Sequence, residues 1–196
     1  MNMRVVLAAA AVTLTAAFAA QAGAAAPGPQ CGGTLWKQMT LVDTKGINWN
    51  PKTTTIGDIA KLTAPSRITA ARTTAFQKQV WKMDDVVIER YRMASNGELV
   101  FELYDIPSNT YMNAYVPATS CMTANATIHK ALVKARNGFM NHCAAPTKDW
   151  QILGAHAVIY GVGFWNPTNT TLGALKSGAE LRPLVGLTIT QGCGKF

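Results

Sequence analysis

The residues able to do chemistry in this chain are few and dispersed. Asp84-Asp85 is the only adjacent pair of carboxylates, the arrangement that a hard divalent cation or paired acid/base catalysis needs. Arg90 and Arg92 follow it and would suit a scissile phosphate. Together these are the residue types of a divalent-metal-dependent hydrolase, nuclease-like in kind, although the pair stands in a strand-like run where a bulge or edge turn accounts for it equally well. No glycine-rich phosphate loop, G-x-S-x-G or H-E-x-x-H segment is present. His129, His142 and His156 stand far apart in sequence. The cysteines, Cys31, Cys121, Cys143 and Cys193, contain no C-x-x-C pair. His142 and Cys143 are adjacent, and neighbours on a helix point about 100° apart, which is poor geometry for one zinc ion. An even number of cysteines in an oxidising compartment is read as disulfides, leaving no thiolate for a Cys-His nucleophile. The expectation is therefore no catalytic residue, no metal and no cofactor.

A second constellation favours binding. Tyr104, Tyr111 and Tyr115 fall on the face opposite the expected core, and Lys82, Arg90 and Arg92 lie on the adjoining strand. Aromatic platforms beside cations bind ligands that carry flat rings and negative charge. The 18 Lys+Arg against 10 Asp+Glu give a net charge of +8, which suits an anionic polymer, nucleic acid or acidic polysaccharide. The leading reading is an exported, non-enzymatic binding module for an anionic or glycan-like ligand. The rivals are the nuclease-like hydrolase and a cell-envelope structural protein without a small ligand.

Export is read from the first residues. Arg4 supplies a positive start, Val5 to Ala20 is apolar apart from Thr13 and Thr15, and Ala24-Ala25-Ala26 offers one of several small-x-small cleavage patterns. Residues 1–26 are thus expected to be a cleavable signal peptide. The Ala-rich composition and the lack of a following basic cluster argue against a transmembrane anchor. The remainder has the length of one domain, secreted to the periplasm or beyond, with its oligomeric state open.

Hydrophobic periodicity supplies the elements that position these residues. Residues 27–75 are expected to form a spacer and a peripheral extension of hairpin and loops. A barrel domain should span 76–196. Phe76 to Met93 reads as one long bent strand, and Ser95-Asn96-Gly97 as a tight turn. Leu99, Phe101 and Leu103 alternate with polar or outward positions in a second strand, and Met112, Ala114 and Val116 in a third. Asn125 caps a helix on which Ile128, Leu132, Ala135 and Phe139 recur at helical spacing. Leu153, Ala155, Ala157 and Ile159 mark a fourth strand, and Leu181 to Thr190 a fifth, whose Pro183 indicates an edge or strand-start position. The order β-β-β-α-β-β, mainly β with one helix, is that of a small OB-like barrel.

These residues resemble a family of uncharacterised exported bacterial proteins. The resemblance runs through Cys31-Gly32, Arg72, Val80-Trp81, Tyr91, the Asp105-to-Pro117 strand pair, Cys121, Ala135-Arg136, Gly161-Val162-Gly163-Phe164, and Glu180-Leu181 with Pro183. Members typically carry D-x-H-L-V-I, G-V-G-F-F-D-x-x-H-G-Q and E-L-H-P-V segments. This chain has Glu98-Leu99-Val100 without the histidine, Trp165-Asn166 without the aspartate, and Arg182 in place of the last histidine. A site built on those polar residues would be missing here. Typical members have counterparts of Cys31 and Cys121 alone, so the resemblance implies the pairing Cys31–Cys121 and Cys143–Cys193.

Overall fold

The computed structural model describes residues 31–194, and the expected signal peptide lies outside them. In chain order the elements are α1 (Trp36–Met39), β1 (Asn48–Thr53), α2 (Ile56–Ala60), β2 (Gln79–Met93), β3 (Leu99–Asp105), β4 (Thr110–Val116), α3 (Ala126–Met140), β5 (Gln151–Trp165) and β6 (Ala179–Gln191). The fold is mainly β: the strands form one six-stranded mixed sheet in the order β1-β2-β3-β4-β6-β5, and β2 also pairs with β5. β2 pairs antiparallel with both β3 and β5, and shifts register between Met83 and Val86 and again between Ile88 and Arg90. Those irregularities let one strand bend enough to serve both neighbours.

Alternation places the core as expected. Leu99, Phe101 and Leu103 of β3, Met112, Ala114 and Val116 of β4, and Ala157 and Ile159 of β5 share one buried cluster with Leu181, Leu184 and Leu187 of β6. α3 seals this cluster. The Asn125 side chain accepts from the Thr127 and Ile128 amides at its N-terminus, and Phe139 sets its ring edge-on to Tyr91 and Phe101, at centroid distances of 4.8 and 5.0 Å. Gly138 lets the helix close on β6, since a Cβ there would stand 2.5 Å from the Leu187 carbonyl oxygen.

Two expectations are corrected. The Gly33-to-Arg72 segment is not a peripheral hairpin: it forms α1, the strand β1 parallel to β2, and α2. Ile56 and Ile59 sit one helical turn apart behind the Thr55 N-cap and enter the main core, while Leu41 and Ile47 help bury a second cluster. Arg72 anchors the segment by donating to the Gln77 and Gln38 carbonyls. Pro183 is not at an edge either, because β6 lies between β4 and β5. It is tolerated where β6 slips against β5, between the pairs Gly161–Leu184 and Gly163–Leu181, a point at which no ladder N–H is needed.

Disulfides join Cys31 to Cys121 and Cys143 to Cys193, the pairing the resemblance implies. The second ties the end of α3 to the end of β6. Sequence separations of 90 and 50 residues correspond to about 4 to 5 kcal/mol each by loop-closure entropy. Among the described residues no helix is long and apolar enough to cross a membrane.

Two glycines on β5 separate steric from conformational demands. A Cβ on Gly163 would lie 2.2 Å from the Phe76 carbonyl oxygen, whereas Gly154 has a positive φ of 69° but open space around it. Gly163→Ala should therefore destabilise the fold by about 2 kcal/mol or more, as overpacking against backbone does. Gly154→Ala should cost about 1 kcal/mol from backbone strain alone. Chemical denaturation of the two variants checks the order.

Candidate binding face

Strand register lays out the outward face of β2, β3 and β4 in rows. Val87, Tyr104 and Tyr111 form one row; Arg90, Glu102 and Asn113 the next; Arg92, Val100 and Tyr115 the third. On the β5 side, Ile152 stands opposite Arg90 and is 78% exposed. Tyr104 and Tyr111 stack across the strand pair with centroids 4.7 Å apart, and the Tyr104 hydroxyl donates to Asn109 Oδ1 at 3.0 Å. Tyr111 is 38% exposed. Arg92 lies 5.1 Å from the centre of the Trp150 ring, and Arg90 donates to Glu102.

Thus four of the six expected ligand-face residues, Arg90, Arg92, Tyr104 and Tyr111, share one surface. Lys82 does not. It lies eight residues before Arg90 on β2, opposite Tyr160 of β5, where it pairs with Asp84. Tyr115 is on the expected face but only 5% exposed, because the segment from Asn166 to Gly178 covers it. That cover was not apparent from strand alternation, which shows the side a residue faces and nothing of what lies above it.

Beneath the loop is a polar cluster that sequence reading did not identify. Arg182 donates through Nε and Nη2 to the two carboxylate oxygens of Glu98, and through Nη1 to Glu180 Oε1 at 3.3 Å. Its guanidinium lies 4.3 Å from the Tyr115 ring centre and 5.8 Å from that of Phe164. Asn169 of the loop donates through Nδ2 to Glu180 Oε2 at 2.8 Å and to the Tyr115 hydroxyl at 3.1 Å. The available signal was the alternation in β6, where Glu180 and Arg182 flank the inward Leu181.

One guanidinium facing two carboxylates leaves an excess negative charge in a dry place. Burial pushes the Glu180 carboxyl up to about 7, with Arg182 and Asn169 opposing and Glu98 adding to the rise. Burial and Glu180 push the Tyr115 phenol up to about 12. Burial pulls Arg182 down, but Glu98 and Glu180 outweigh it and its pKa ends raised. Neither amide atom of Asn113, fully buried beside Glu102, has a hydrogen-bond partner among the described residues.

The other candidate chemistry is dispersed. Asp84 pairs with Lys82, and Asp85 with His156 at 2.8 Å. His129 and His142 each set Nδ1 against a backbone carbonyl, of Thr123 and Gly138. Among the described residues no three His, Cys, Asp or Glu side chains converge as a metal ion would require. No family model, curated protein or solved structure matches this chain.

The Glu180 shift has a definite sign. Its carboxyl is ordinary near 4.5 in the unfolded chain and titrates at about 7 when folded, so the folded state binds the extra proton between those values. Stability should fall as pH rises from about 4.5 to about 7 and level off above, by about 3 kcal/mol at most. Glu180→Gln should flatten that slope, which urea unfolding at a series of pH values would measure.

Proposed function

We propose that this chain is an exported, non-enzymatic binding module built on an OB-like barrel, and that an anionic or glycan-like chain lies across Tyr104 and Tyr111. The observation that carries this reading is the stacked, partly exposed tyrosine pair with Arg90 and Arg92 on the same face. Two tyrosine faces accept bases or sugar rings by stacking, with little conformational entropy to lose.

The architecture supports it. Following the pairings from β2 through β3, β4, β6 and β5 returns to β2, with β4 and β6 parallel and α3 between β4 and β5 in sequence. That circuit supports the OB-like reading, and such barrels use the outer face of their second and third strands, which would be β3 and β4 here, for oligonucleotides and oligosaccharides. Export is supported by the signal-like N-terminus and by two disulfides, which persist in oxidising compartments. Asp84 pairs with Lys82 and Asp85 with His156, so the nuclease-like alternative gains no carboxylate set from this geometry.

Tyr111→Ala should weaken binding by about 1 to 3 kcal/mol whichever ligand occupies the face. Salt separates the two ligand classes: affinity for a polyanion falls steeply with added salt through counterion release, while affinity for a neutral glycan does not. Titrating the wild type and Tyr111→Ala with an oligonucleotide, an acidic oligosaccharide and a neutral one, each at low and high salt, makes the measurement. Unchanged affinity of the tyrosine variant for every ligand would discard the face.

A further inference from the structure

The Asn166–Gly178 loop hides the half of this face next to the tyrosines, held there by a few polar contacts and by Leu175, which packs against the main core. Its own hydrogen bonds close mainly within it: Asn169 N–H to the Asn166 carbonyl, Ala174 N–H to Thr171, Gly178 N–H to Leu175. Its side chains reach the strands through Asn169 Nδ2, which donates to Glu180 and Tyr115, through a hydrogen bond between Thr171 and Tyr115, and through Ser177 Oγ, which accepts from the Ala179 N–H. Gly173 presses on the face so closely that a Cβ would stand 2.7 Å from Glu102 Cγ and 3.2 Å from Asn113 Oδ1. Leu172 points away and is half exposed.

What the loop covers is unlike ordinary sheet surface. Asn113 is fully buried with its donor and its acceptor both unmatched, a costly state for an amide. The group that would satisfy it is both donor and acceptor, which is the property of a hydroxyl. Glu98, Glu102 and Glu180 have only Arg90 and Arg182 as cationic partners, so the patch carries an excess negative charge once Glu180 ionises, at about pH 7.

We propose that the Asn166–Gly178 loop is a lid, and that its opening extends the tyrosine face into a groove, floored by Glu102, Asn113, Tyr115 and Glu180, that takes a neutral sugar unit. The inference rests on Tyr104 and Tyr111 being a binding face and names its ligand class. Aromatic rings beneath a sugar, with carboxylate and amide groups along its hydroxyl edge, are the usual means of orienting such a ring. The groups facing Glu180 are Arg182 on its own strand, Tyr115 on β4, Glu98 ahead of β3, and the neutral Asn169 of the lid. Opening would return Glu180 to water and toward an ordinary carboxyl. By linkage, the open form gains as pH rises from about 4.5 to about 7.

The test uses two lid variants, Asn169→Ala, which removes the clamp, and Gly173→Ala, which pushes the lid off Glu102. Amide exchange across 166–178 and titration with a neutral hexasaccharide (cello- or chito-oligosaccharide) and an acidic one are measured at pH 5.5 and 8. Faster exchange across 166–178 in either variant, with neutral-sugar affinity raised by up to about tenfold as the cost of opening is removed, is the expected result. The wild type should bind the neutral sugar more tightly at pH 8. Faster exchange with unchanged or weaker sugar affinity in both variants overturns the lid, and leaves the tyrosine face standing if Tyr111→Ala still weakens binding. Preference for the acidic oligosaccharide overturns the sugar class. No binding of either ligand by wild type or variants overturns both the lid and the face.

Discussion

Arg182 bridges the strands of this sheet where the backbone ladder is shortest. The parallel junction between β4 and β6 has a single registered pair, Ala114 with Leu181, whereas antiparallel neighbours such as β3 and β4 pair along their whole length. Backbone hydrogen bonding alone is therefore thin where the strands meet. Arg182 supplies what the ladder lacks: from β6 it grips Glu98 at the start of β3, and it lies over Tyr115 of β4. Glu180, two residues earlier on the same face, accepts its remaining donor and the loop's Asn169. A buried ion pair of this kind adds little net stability over an apolar substitute, yet removing one partner strands a charge at a cost of about 3 to 5 kcal/mol. The pair ties β6 to Glu98 just ahead of β3 and to Tyr115 of β4.

The same cluster explains why sequence reading went further for the fold than for the site. β3, β4, α3 and β5 have one face in the core and one outside, so period two or 3.6 is written directly into Leu99-Phe101-Leu103 or Ile128-Leu132-Ala135-Phe139. The N-terminal segment carries no such pattern. All six residues of β1 are exposed, and the buried Leu41, Ile47, Ile56 and Ile59 come from turns and a five-residue helix too short to show a period. Which residues turn outward was legible: of the six expected, Arg90, Arg92, Tyr104 and Tyr111 share one surface, while Lys82 lies elsewhere on β2 and Tyr115 is covered. That covering was not legible, because the loop that buries Tyr115 is polar and has no periodicity. Arg182, seen in sequence as the loss of a histidine, is in the structure the centre of a network of its own.

Net charge is likewise a poor guide to the character of the site. The cations nearest the tyrosines are already engaged: Arg90 with Glu102, and Arg92 against Trp150. Lys82, the third one expected there, is committed to Asp84 elsewhere on β2. Beneath the loop, burial keeps a proton on Glu180 up to about pH 7, with Arg182 and Asn169 opposing and Glu98 adding to the rise. Long-range attraction from a basic chain can bring a polyanion to a surface, but this face itself presents two tyrosine rings, with an unpartnered amide and three carboxylates buried under the loop. Contact chemistry, being short-ranged and little screened by salt, decides what stays bound. On that ground the face is better matched to rings and hydroxyl groups than to phosphates.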